Sequence, residues 1–206
     1  PFSDDIWLSG GRDRTVRSMS TPPLTDNPLL RYREPPAFDR IAPEHAEPAL
    51  RHILEHAETA LAAIEAGEGA TWETLVQPLT EMEETLEFAW GIVSHMMSVM
   101  NTPAWRDAHE SLLPRVIGFS LRAQQSKPIY ERLRRLREGS DWPSLSGPRQ
   151  RIVTAALQSA ELAGVGLPDA DRERFNAIQE ALAQCSTAFS NHLLDDTRQF
   201  SLVLTA

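Results

Sequence analysis

Cysteine occurs once in the 206 residues, as Cys185, so no internal disulfide can hold this chain together. A lone thiol fits a reducing compartment, and a cytoplasmic location is expected on that ground. Positive charge is the minority sign: 20 Lys and Arg stand against 29 Asp and Glu, for a formal net charge of −9. That balance argues against nucleic acid as a partner, because phosphates are held by a local excess of Lys and Arg. No apolar run approaches the roughly 20 residues of a membrane helix, and no secretory leader pattern is present. G-x-S-x-G and phosphate-cradling glycine loops are missing. No Glu lies three residues before a His, which excludes the Glu-x-x-His unit of carboxylate-bridged di-iron bundles.

What is present is helical. At 41% apolar residues the chain has material for one large domain with a real core, or for part of a larger protein. From Pro43 onward apolar residues recur at steps of three and four: Ile53, Leu54, Ala57, Ala60, Leu61 and Ile64, then Gly67 and Gly69 as a stop. Thr71 is the expected N-cap of a second helix with a core stripe of Leu75, Leu79, Met82, Leu86, Trp90, Val93 and Met97. Thr102-Pro103 opens a third. Pro114 and Pro128 are expected to break the stretch up to Gly139 into two or three short helices. Gly147-Pro148 opens a helix to about Leu162, "GVGLP" is a turn, and a last helix runs from about Asp169 to Asp196.

The two ends read differently. Residues 1–18 have no periodicity and precede Met19, a plausible start, so they are expected to be a disordered upstream segment. An extended arm over 19–42 and a helical domain over 43–198 follow. Residues 199–206, with Phe200, Leu202 and Leu204 alternating, are read as one short strand leading into further chain, since a lone strand lacks partners for its amides and carbonyls. On that reading the sequence is truncated.

Several residue clusters invite chemistry. "RHILEH" places His52, Glu55 and His56 in an H-x-x-E-H pattern, in which two histidines on one helix face share a zinc beside a general base. A third ligand is needed, and a residue such as Glu131 has nothing to mark it out. "HESLL" begins like the commoner zinc motif, but Leu113 stands where the second histidine belongs. Glu81, Glu83, Glu84 and Glu87 offer paired carboxylates, although a solvated helix face is the simpler reading. "ERLRRLRE" at 131–138 alternates charge with Leu133 and Leu136 and reads as an amphipathic helix. Cys185, spaced helically between Leu182 and Phe189, is expected to be a packed thiol rather than a nucleophile. No residue of this chain is assigned a catalytic, cofactor-binding or metal-binding role.

Five blocks carry a family resemblance: "NPLL" at 27–30, "PPAFDRIAPEHAEPAL" at 35–50, "TWETLVQPLTEMEETL" at 71–86, "VSHMMSVMNTP" at 93–103 and "GVGLPDADRERFNAIQEALAQCSTAFSNHLLDDT" at 164–197. In this order they resemble the N-terminal region of the thimet-oligopeptidase-like zinc metallopeptidases. The resemblance implies an all-α, multi-helix N-terminal lobe of a neurolysin/thimet-oligopeptidase-like fold, from a parent chain about three times longer. It implies a channel between two helical lobes that admits short peptides. The family's zinc, held by an H-E-x-x-H helix and a later Glu, would lie in a catalytic C-terminal part absent from these residues. The partners implied are that catalytic part and short peptide substrates, with no nucleic acid and no membrane. The alternative is a stand-alone helical binding or scaffold protein.

Overall fold

The computed structural model describes residues 24–202. The upstream segment expected over 1–18 lies outside them, as do residues 19–23 and 203–206. Six α-helices are described: α1 Ala46–Ala66, α2 Gln77–Met100, α3 Pro103–Gln124, α4 Lys127–Glu138, α5 Gly147–Leu162 and α6 Asp169–Gln199. Ahead of them, residues 24–45 form short 3-10 turns. Asn27 fastens these turns, donating from Nδ2 to the His45 carbonyl at 2.8 Å and accepting the Leu29 amide at 3.0 Å.

The core follows from the apolar stripes. Leu50 and Leu61 of α1, Leu75 and Val93 around α2, Leu112 of α3 and Val153 of α5 are all within 1% of complete burial. Each such side chain stabilises the fold by about 1.5–3 kcal/mol. Helices α1 and α2 form the central pair, with α3 packed on both and α4 joined to α5. Helix α6 packs on α3.

Local chemistry sets the boundaries. Gly67 caps α1, and the Thr102 hydroxyl accepts the Trp105 amide at 3.4 Å while Pro103 fills the first position of α3. The Thr71 hydroxyl accepts the Thr74 amide at 3.2 Å. The turn it caps, Trp72–Val76, is wound as a π-helix, with the Gln77 amide bonding the Trp72 carbonyl. The Leu75 amide bonds the Thr71 carbonyl at 3.1 Å in α fashion, but Pro78 has no N–H to give the Thr74 carbonyl, so an α ladder begun at Thr71 is interrupted there. Gly164, at φ +87°, supplies the left-handed residue of the "GVGLP" turn.

Three expectations are corrected. Pro114 neither breaks nor ends α3, which runs unbroken to Gln124; the division falls at Gln125–Ser126, ahead of Pro128. Leu112, Leu113 and Val116, all buried, hold both sides of Pro114 on the core, and this packing outweighs one missing helix bond. No strand is present among the described residues: Gln199 ends α6, and 200–202 have no regular structure. The Phe200 amide still bonds the Asp196 carbonyl at 3.0 Å, so the helix absorbs the start of the alternating segment. Cys185 is exposed rather than packed, and Leu182 and Phe189 beside it are 57% and 69% exposed.

Candidate functional site

The histidine pair of α1 does face one way. The His52 and His56 rings lie 4.1 Å apart and line a groove of about 460 Å³ with Leu30, Tyr32, Glu81 and Met82. His56 donates from Nδ1 to the His52 carbonyl at 2.8 Å, which leaves its Nε2 as the open nitrogen. Glu55 does not line that groove, and Glu131 is an exposed residue of α4. Among the described residues no group of three or more His, Cys, Asp or Glu is placed to share a metal ion. Two imidazoles without a third ligand do not fit a zinc peptidase centre, and no step through zinc is derived for these side chains.

The glutamate cluster of α2 is divided between surfaces. Glu84 accepts the Tyr32 hydroxyl, and Glu81 faces the histidine groove while accepting from Gln77 at 3.1 Å. Glu83 and Glu87 instead line a cleft of about 420 Å³ with Leu86, Phe119, Tyr130 and Ile152. Burial in that concave wall raises the Glu83 carboxyl above the ordinary carboxylate range, and the Glu87 charge adds to it. Glu83 is nonetheless an exposed residue, so the surrounding protein displaces only part of its water. A carboxyl of this kind can accept or release a proton near a bound guest.

Two buried polar nodes were not legible as such in the sequence. Arg132 is 3% exposed and has no carboxylate partner among the described residues. Its guanidinium donates to the carbonyls of Gly69 at 2.8 Å, of Thr74 at 3.2 Å and of Ile64. It thereby caps α1 and supplies the donor that Pro78 withholds from Thr74. Desolvation lowers its pKa, with Arg135 adding to the effect. A signal was available: Ile129, Arg132, Leu133 and Leu136 follow one helical stripe, so Arg132 occupies a core-facing position.

The second node lies in the "VMNTP" block. Asn101, at φ 46°, ends α2 in the left-handed conformation that Asn tolerates. Its side chain donates to the Met97 carbonyl at 3.2 Å and accepts from Arg106 Nε at 2.9 Å. Arg106 continues to Asp195 on α6, and buried Asn191 donates to Glu110 at 3.3 Å. This network fixes the far end of α6 against α3.

The family described as "Neurolysin/Thimet oligopeptidase, N-terminal domain" matches residues 50–172, from the first turns of α1 to the first turn of α6. The chain belongs to this family. It is 40% identical over 182 residues to an organellar oligopeptidase A, chloroplastic/mitochondrial, of Arabidopsis thaliana, a match covering 88% of this chain and 23% of that protein. A probable cytosolic oligopeptidase A of the same plant is 39% identical over 88% of this chain and 26% of its own length. Oligopeptidase A of Escherichia coli strain K12 is 35% identical over 180 residues, covering 87% and 26% of the two chains. The chain therefore spans about a quarter of the length of the curated relatives it matches. The matched family domain contains both polar nodes except for the α6 residues of the second.

Proposed function

We propose that this chain is the N-terminal helical domain of a zinc-dependent oligopeptidase that hydrolyses short peptides. The observation that carries the reading is the match to oligopeptidase A relatives over nearly all of this chain and only about a quarter of theirs. The part of such a protein that has no counterpart here would supply the zinc, its ligands and the general base. A site of two histidines and a carboxylate leaves one position for water, whose pKa the metal lowers toward about 7.

This domain would form one wall of the peptide channel. Its net charge of −9 would bias which peptides enter, through attraction of basic ones. On this reading the chain alone is not the enzyme, and the catalytic partner lies in the same polypeptide. A cytoplasmic location is part of the proposal; the relatives' own names divide between organelle and cytosol. No described helix is long and apolar enough to cross a membrane. A stand-alone scaffold fits less well, because α6 turns large apolar side chains to water.

Hydrolysis of a quenched fluorescent oligopeptide tests the proposal. The isolated chain is expected to be inactive at every zinc concentration. Chelator-sensitive turnover that disappears in His52→Ala would overturn the reading and return the H-x-x-E-H helix as a metal site.

A further inference from the structure

Helix α6 has its two faces the wrong way round for a surface helix. The side turned toward the domain carries Asn176, Gln179, Ala183, Thr187, Asn191 and Asp195, polar or small residues that are all buried or half-buried. Phe175 and Leu194 are the only large apolar side chains of α6 that are half-buried with them. The side turned to solvent carries Ile178, Leu182, Phe189 and Leu193, exposed by 48%, 57%, 69% and 58%. Cys185 completes that outward stripe at the same three- and four-residue spacing. A solvent-facing helix normally shows the opposite pattern, with its apolar stripe on the core. The stripe also exceeds the scattered single apolar residues that any surface tolerates.

We propose that the outward face of α6 is a docking surface for an apolar helix face of the remaining peptidase polypeptide. The inference rests on the proposed function and deepens it by naming the surface. Its independent support is the length of the relatives: they carry the matched region within proteins of which it is about a quarter, so on the proposed function a covering partner would lie within the same molecule. The Arg106–Asp195 pair and the Asn101 cluster then act as positioning contacts. They hold α6 at a fixed angle on α3 so that its stripe is presented to the partner. The inward face can be largely polar because its register is set by these hydrogen bonds more than by apolar packing.

Cys185 is a built-in reporter, being the only thiol and lying within the stripe. The test joins this chain ahead of the part of Escherichia coli oligopeptidase A that follows its own matched segment. Alkylation of Cys185 by N-ethylmaleimide is timed by peptide mass mapping in the fusion and in the isolated 206-residue chain. The expected result is rapid labelling in the isolated chain and labelling at least about tenfold slower in the fusion. Leu182→Glu with Phe189→Glu is expected to lower the thermal midpoint of the fusion and leave that of the isolated chain unchanged. Equal labelling in both proteins, or equal thermal effects of the glutamate pair, overturns the proposal. Protection in the isolated chain that grows with concentration, with a doubled mass by light scattering, assigns the face to a second copy and also overturns it. Peptide hydrolysis by the fusion is a separate readout. Turnover with Cys185 fully reactive keeps the peptidase reading and removes this one.

Discussion

Arg106 of α3 grips Asp195 of α6 through both terminal guanidinium nitrogens, Nη1 to Oδ2 at 2.8 Å and Nη2 to Oδ1 at 2.5 Å. The planar fork of arginine matches the two carboxylate oxygens, so the pair fixes direction as well as distance. Its hydrogen bond holds the Asp195 carboxyl below the ordinary carboxylate range. Residues 89 apart in sequence are thereby joined at the point where α6 meets the body of the domain.

Arg106→Lys is expected to loosen α6 while the core stays intact, because a point charge cannot reproduce the fork. Amide exchange over residues 187–199 should accelerate, with exchange in α1 and α2 unchanged. Since the folded pKa of Asp195 is depressed, the pair's contribution is present above the ordinary carboxylate range and is lost as pH falls through the lower folded value. Unaltered exchange in α6 would show that the ion pair does not position it.

Arg132→Met removes donors from the carbonyls of Ile64, Gly69 and Thr74. A hydrogen bond to a charged donor is worth about 1.5–3 kcal/mol, but the Ile64 carbonyl keeps the Gly67 amide and Gly69 and Thr74 are exposed residues, so a loss of roughly 3 kcal/mol in all is expected. For a domain of this size that lowers the thermal midpoint by about 6–12 °C. Arg134→Met, a change at an exposed position of the same helix, is the control, expected to stay within about 0.5 kcal/mol.

Pro114→Ala should stabilise the domain. The ring is exposed, and alanine returns an N–H to the Glu110 carbonyl within an otherwise regular helix. The helix gain of about 3 kcal/mol is partly offset by about 0.4–1 kcal/mol of freedom restored to the unfolded chain. A rise in midpoint by several degrees in a thermal melt is the expected outcome; a fall would mean that a kink at Pro114 is needed for packing.

His109 gives the domain an acid-sensitive point. Its ring is 5% exposed, stacks 4.6 Å from Trp90, and has no hydrogen-bond partner at Nδ1 among the described residues. Burial therefore lowers its pKa below the usual 6.5. The unfolded chain then binds a proton at pH values where the folded chain does not. Stability is full above about pH 6.5 and declines as pH falls below it. Glu83, whose pKa is raised, opposes this at lower pH, since its protonation favours the fold. His109→Phe keeps an aromatic ring beside Trp90, and its midpoint should fall less between pH 7 and pH 5 than that of the parent chain. Parallel melting curves would contradict the assignment.

Much of this architecture was legible in local chemistry. Thr71, Thr102, Gly67 and Gly147-Pro148 mark helix ends because capping depends on neighbours in sequence. The π turn before α2 was not legible, since Pro78 creates the free carbonyl but only Arg132, 58 residues from Thr74, makes it tolerable. Pro114 misled because core packing on either side decides whether a helix survives it. Cys185, Leu182 and Phe189 misled for a related reason: periodicity defines an apolar face but not which molecule covers it. The strand reading of 199–206 failed over its described part because alternation across a few residues also fits a fraying helix end. For the candidate site, sequence spacing placed His52 and His56 on one face correctly, but could not show that Glu55 lies outside their groove.

The central claim is that these residues are the N-terminal domain of a zinc oligopeptidase. Reading the gene downstream of the Ala206 codon tests it most directly. The account predicts an open frame that continues into a helical sequence containing H-E-x-x-H and a later glutamate. A frame that stops soon after Ala206 in the intact gene, or continues without that motif, would contradict it.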